Sequence, residues 1–213
     1  MSPGNPSGRR PAHPPETAHG LLDAAFGRPR GPAGTVGGAV MARLNGSQER
    51  WAVDRAALCP GERVLVVGPG PGVGLPAAVA AVQPDGRVIA VDPSATMRRA
   101  AIRRCAAQIA AGTLEVRDGA AERTGCADAT VDAVLSVNNV MLWDRPAGFR
   151  ELLRVLRPGG RMVLTVHRHV LGIRPERLVT EATGAGFGGV ELTLRDRRVL
   201  GPAVQMLLHH PGN

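Results

Sequence analysis

The sequence predicts an α/β fold, with a mostly parallel sheet covered by helices on both faces. Three observations carry that reading. Val64-Leu65-Val66-Val67 is an aliphatic, mostly β-branched run that empties into Gly68-Pro69-Gly70-Pro71-Gly72 and then into a helical stretch. Beyond it, apolar runs of strand length alternate regularly with helical patterns, as in parallel strands joined by crossover helices. A second such run, Arg87-Val88-Ile89-Ala90-Val91, ends on Asp92. That places an acid at the carboxyl edge of the sheet, where open α/β folds bind ligands.

In chain order, residues 1–20 are rich in Pro, Gly and Ser. They read as a disordered tail, because they bury too little apolar surface to offset chain entropy. Residues 21–58 read as N-terminal lid helices. One lies around 35–44; the other lies over 47–58, with Ser47 as its N-cap and Trp51, Val53 and Leu58 as apolar residues. Residues 59–213 make the main domain. Strand 64–67 is a continuous apolar run, so both its faces are expected to be buried. It leads to a helix over 73–82. Strand 87–91 leads to a helix from Ser94 to Ala111, and strand 113–117 to a short segment over 118–126. Strand 131–137 leads to a helix over 145–156. Arg157-Pro158-Gly159-Gly160 reads as a turn into strand 161–166, and a helix over 174–185 ends at Gly184-Ala185-Gly186. Strands near 188–195 and 202–208 finish the chain. The link from Asp196 to Gly201 is too short for a crossover helix, so these two should pair antiparallel.

Bulk properties narrow the function classes. A chain of 213 residues with 44% hydrophobic content suits one domain with a full core. The net charge of +8 comes from arginine alone, since the chain has no lysine. Those arginines are spread out. The pairs Arg98-Arg99 and Arg103-Arg104 read as a solvated helix face, and Arg195, Arg197 and Arg198 as a second small cluster, neither with the contiguous footprint that nucleic acid needs. Aromatic content of 2% leaves few platforms for stacking bases. Cys59, Cys105 and Cys126 show no C-x-x-C spacing, which argues against a disulfide framework or a zinc site, and no metal site is expected. No apolar run reaches the length of about 18 residues needed to span a bilayer, and the N-terminus lacks a signal-peptide core. A cytoplasmic location is expected.

The glycine turn and Asp92 together point to a nucleoside cofactor. The glycines let a ligand approach the bare main chain, and the acid can accept from both ribose hydroxyls. A dinucleotide turn, G-x-G-x-x-G, fits poorly: counting from Gly68 or Gly70, the sixth position is Val73 or Leu75. A G-x-G-x-G turn suits instead a ligand without phosphates, whose amino-acid end lies across the backbone.

At this point the chain resembles the class I S-adenosylmethionine-dependent methyltransferases over about residues 50–208. The motifs match in order: Gly68-x-Gly70-x-Gly72; Val91-Asp92-Pro93-Ser94-Ala95-Thr96-Met97; Val116-Arg117-Asp118-Gly119-Ala120-Ala121; Val131-Asp132-Ala133-Val134-Leu135-Ser136-Val137-Asn138-Asn139; and Leu153-Arg154-Val155-Leu156-Arg157-Pro158-Gly159-Gly160-Arg161-Met162. Within the family it is most similar to the small-molecule enzymes of ubiquinone and menaquinone biosynthesis. The resemblance implies a Rossmann-like seven-stranded sheet, mostly parallel with an antiparallel last strand. It implies S-adenosylmethionine as cofactor and a small-molecule acceptor as partner. Gly68, Gly70 and Gly72 would line its methionine half, Asp92 would bind the ribose diol, and Met97 would pack on the adenine. Asp118 would accept from the adenine amine, with Gly119 or Ala120 beside the ring. Val137 and Asn138 would sit near the transferable methyl.

One position departs from the pattern. The family usually has Asp or Glu two residues before the first glycine, where it helps to hold the ammonium of the methionine. Here that residue is Val66, which favours a rival reading: a methyltransferase-like protein that binds the cofactor or a metabolite without methylating. Methyl transfer itself mainly requires alignment of nucleophile, carbon and sulfur. A base is needed only for a poor nucleophile. Asn138 is the candidate to orient an acceptor, and His167, with His169 two residues on, is the candidate base. Asn138 and Asn139 can equally serve only to satisfy loop backbone. The chain lacks the Asn/Asp-Pro-Pro-aromatic run of amine-methylating nucleic-acid enzymes and any Pro-Cys.

Overall fold

The computed structural model describes residues 46–196 and 201–212. The tail over 1–20, the helix expected around 35–44, and Arg197 and Arg198 lie outside the described residues. The first described element is helix α1 at residues 46–56, which already includes Ser47, so that residue does not cap it. Then come β1 (Arg63–Val67), α2 (Leu75–Val82), β2 (Arg87–Val91), α3 (Ala95–Arg104), α4 (Ala106–Ala110), β3 (Leu114–Arg117), β4 (Val131–Val137), α5 (Arg145–Val155), β5 (Leu156–His167), α6 (Pro175–Ala185), β6 (Gly188–Arg195) and β7 (Ala203–His209). The strands form one seven-stranded sheet in the order β3-β2-β1-β4-β5-β7-β6. β7 lies antiparallel to both β5 and β6, and the other pairings are parallel.

The continuous apolar run of β1 is explained by what lies on each side of it. Leu65 and Val67 join a core with Phe149, Leu152, Leu178 and Ala182, from α5 and α6. Val64, with Val66 beside it, joins a second core with Ala52, Leu75, Ala78 and Val82, from α1 and α2. Alternate residues of one strand therefore feed different layers, as expected of a parallel strand covered on both faces.

Two local expectations change. The helix expected from Ser94 to Ala111 breaks at Cys105 (φ −108°, ψ 27°), separating α3 from α4. Cys105 is fully buried, with its Sγ 3.8 Å from the Gly72 carbonyl. The turn expected at 157–160 becomes a bulge within β5: Val131 pairs with Leu156, then Ala133 pairs with Arg161. Gly159 has φ 77°, and a Cβ on Gly160 would sit 2.8 Å from the Arg157 carbonyl and 3.0 Å from that of Asp132, so this crowded bend admits only glycine.

The strand order reverses direction between β1 and β4, so the loops leaving them part and open a cleft at the carboxyl edge. No helix among the described residues is long and apolar enough to cross a membrane.

Candidate active site

The floor of the cleft is the turn after β1. Gly68 adopts φ 60°, and a Cβ there would meet Asn139 Nδ2 at 2.6 Å. Asn139 occupies that space because it ties the two strands together. Its Nδ2 donates to the Val67 carbonyl at 2.6 Å and lies 3.3 Å from those of Gly68 and Val137, and its Oδ1 accepts from Ser136 Oγ at 2.8 Å. Of the two roles open to it, Asn139 thus serves the backbone. Gly70 (φ 54°) has open space where a Cβ would be. Gly72 faces α3 instead, where a Cβ would meet Ala101 at 3.0 Å.

Asp92 is 5% exposed at the end of β2. Its carboxylate accepts from the Gly70 N–H at 3.1 Å and the Ser94 N–H at 2.8 Å. Burial pushes its carboxyl up to about 6, against the pull of those amides and of Arg98. Ser94 caps α3 by accepting from the Met97 N–H at 3.4 Å, and Met97 is buried just beyond. Arg98 Nη1 donates to the Asp92 carbonyl and to Asp118 Oδ1, both at 2.7 Å. Arg104 Nε donates to the Pro71 carbonyl at 2.9 Å. Two of the arginines expected on a solvated face therefore hold the glycine turn and the β2 edge. Gly119 is packed on Val91, and Ala120 exchanges backbone hydrogen bonds with Arg123 at 3.1 Å in each direction.

At the ends of β4 and β5 the structure brings together the two residues expected to work on an acceptor. Asn138 takes a left-handed backbone (φ 55°), which asparagine tolerates. Its Oδ1 accepts from the His167 N–H at 2.9 Å. Gln48 of α1, 2% exposed, joins them: its Oε1 accepts from Asn138 Nδ2, and its Nε2 lies 3.5 Å from His167 Nδ1. The His169 ring stands 5.5 Å from that of His167. Trp143 packs edge-on against Phe149 at 6.1 Å. Cys126 is buried near Arg117.

Sequence reasoning missed Gln48 and its neighbour Glu49. The only available signal was the apolar Val66, which asks for another acid without saying where. Glu49 lines the cleft together with Val66, Gly68, Pro69 and Val137, and its Oε2 is buried without a hydrogen-bond partner. The cleft is open to solvent and lined mainly by apolar side chains, with Val53, Leu75, Leu135 and Val137 beside the glycine turn. An S-adenosyl group fits this donor set. The open backbone at Gly70 admits a ligand against the main chain, and Asp92 keeps lone pairs for ribose hydroxyls after accepting two amides.

Residues 65–164 match the family model of the methyltransferase domain. An uncharacterized methyltransferase of Bacillus subtilis, YdaC, is 24% identical over 76% of this chain and 91% of its own length. The ubiquinone/menaquinone biosynthesis C-methyltransferase of Geotalea daltonii is 30% identical over 57% of this chain, which spans about half (52%) of that relative. Among solved structures, a SAM-dependent methyltransferase from Aquifex aeolicus aligns with a TM-score of 0.67 at 20% identity, over 79% of this chain and 92% of that one. The [4+2]-cyclase SpnF aligns with a TM-score of 0.69 at 16% identity, over 80% and 83%. With the glycine turn, the acid after β2 and the seven-stranded sheet around it, residues 65–164 are a methyltransferase domain, of the S-adenosylmethionine-dependent kind that the chain resembles.

Proposed function

We propose that this protein methylates a small molecule held between α1 and the ends of β4 and β5. The observation that carries the reading is the group of Gln48, Asn138 and His167, buried or half-buried and bonded together at the edge of the cofactor cleft. When bound, the cofactor supplies an electrophilic methyl on a sulfonium. The glycine turn and Asp92 bind its nucleoside and methionine halves, with Met97, Asp118, Gly119, Ala120 and Val137 around them. Asn138 orients the acceptor through its side-chain amide. His167 holds or accepts a proton where the acceptor is an alcohol or a protonated amine. Scarce aromatic platforms suit a compact acceptor rather than a base taken from a nucleic-acid stack.

A second reading, binding without methyl transfer, is favoured by Val66 and by the presence of the same fold in a cyclase. Incubation of the full chain with cofactor labelled in the methyl group and with pooled small metabolites separates the two. Labelled product that disappears in Asn138→Ala supports transfer. Cofactor binding with no labelled product from any pool supports the second reading.

A further inference from the structure

The methionine end of the cofactor carries an α-ammonium, and a cation leaving water needs a fixed counter-charge. Val66 cannot provide one. Among the described residues lining the pocket that holds Val66, Glu49 is the one acid, and it arrives from α1. Its side chain lies against Gly74: a Cβ at that position would stand 2.9 Å from Glu49 Cβ and 3.3 Å from its Cδ. This contact fixes the acid at the start of α2. Glu49 Oε2 is buried and accepts no hydrogen bond. An orphaned carboxylate oxygen costs stability unless a ligand completes it.

Resting on the cofactor reading above, we propose that Glu49 is the positioning residue for the cofactor's α-ammonium, so that the anchoring acid has moved from the first strand to the lid helix. Two further facts agree with this. Burial pushes the Glu49 carboxyl up to about 7, with Arg104 and Arg50 pulling it down, and a cation beside it would favour the charged form. The lid helix also contributes Gln48 to the acceptor side, so α1 already belongs to the site.

Titration calorimetry of the full chain with S-adenosylhomocysteine, S-adenosylmethionine and 5′-methylthioadenosine tests the assignment. The last keeps the nucleoside but lacks the amino-acid end. Glu49→Gln is expected to weaken S-adenosylhomocysteine by about tenfold or more and to leave 5′-methylthioadenosine unchanged, which also reports that the variant folds. Unchanged affinity for S-adenosylhomocysteine, or an equal loss for both nucleosides, overturns the assignment. A loss confined to S-adenosylmethionine overturns it too, because the carboxylate would then face the sulfonium. A wild-type chain that binds none of the three overturns the cofactor reading itself, and the assignment with it.

Discussion

The Gly70 N–H donates to the Asp92 carboxylate at 3.1 Å, joining the glycine turn after β1 to the end of β2. The Ser94 N–H donates to the other carboxylate oxygen at 2.8 Å. One side chain thus shapes the turn, starts α3 and remains available to a ribose.

Asp92→Ala should therefore lower both cofactor affinity and stability. The expected loss of S-adenosylhomocysteine affinity is about tenfold or more. The loss of stability is on the order of 1–3 kcal/mol, from amides left without an acceptor. Asp92→Asn keeps an acceptor for only one of the two amides, so it should restore part of the stability and not the affinity. Calorimetry and urea denaturation read the two effects separately; affinity restored in Asp92→Asn would count against the diol role.

Glu49 makes a pH-dependent prediction with a definite sign. Its folded pKa of about 7 lies above the ordinary 4.5, so the folded state holds the proton more tightly than the unfolded state. The stability this contributes is complete below about pH 4.5 and is lost as pH rises towards 7 and beyond. Glu49→Gln should match the wild type near pH 4.5. Near pH 8 it should be the more stable of the two, by on the order of 1–3 kcal/mol. Urea melts of both proteins at the two pH values check this, and a difference that does not grow with pH would contradict it.

Asn138 and Asn139 are adjacent but should respond oppositely. Asn139→Ala removes the bridge between β1 and β4 and leaves the Val67 carbonyl and Ser136 hydroxyl without it, costing on the order of 2–4 kcal/mol. Asn138→Ala should cost less stability while lowering methyl transfer by about 10²-fold or more, with cofactor affinity unchanged. Thermal melts beside labelled-methyl assays distinguish the pair.

The turn glycines should also separate. At Gly68 an alanine Cβ meets Asn139 at 2.6 Å, so Gly68→Ala should disturb the β1–β4 junction and lower the melting temperature by several degrees. At Gly70 the Cβ would enter open space. Gly70→Ala should cost only the roughly 1–2 kcal/mol of a left-handed alanine, yet weaken cofactor binding through the side chain placed on the cleft floor. Melts paired with calorimetric titration test both claims.

What was legible in the chain was what is local. β1, its glycines and Asp92 are read from neighbours in sequence, since strand, turn and acid lie within consecutive segments. Ser94 as the start of a helix and Asn138 beside His167 at the sheet edge follow in the same way, from strand ends. The break at Cys105 was hidden, because nothing in the neighbouring residues marks it and its Sγ contact is with the Gly72 carbonyl, distant in sequence. The roles of Arg98 and Arg104 were hidden too: their partners are an acid after β3 and a carbonyl after β1. Gln48 and Glu49 were hidden most completely. Their helix gives no local sign of which residues turn inward, and only its docking brings them to the cleft and to Asn138.

That docking carries a consequence for how the protein would turn over. Gln48 bonds Asn138 at the end of β4 while the next residue, Glu49, lines the cleft with the glycine turn. On the proposed assignments, cofactor and acceptor would be held by the same short stretch of helix, and any coupling between them is reciprocal, each changing the other's affinity by the same factor. Such coupling would be read as a cofactor affinity that changes when the acceptor is present, matched by an equal change in acceptor affinity when the cofactor is bound.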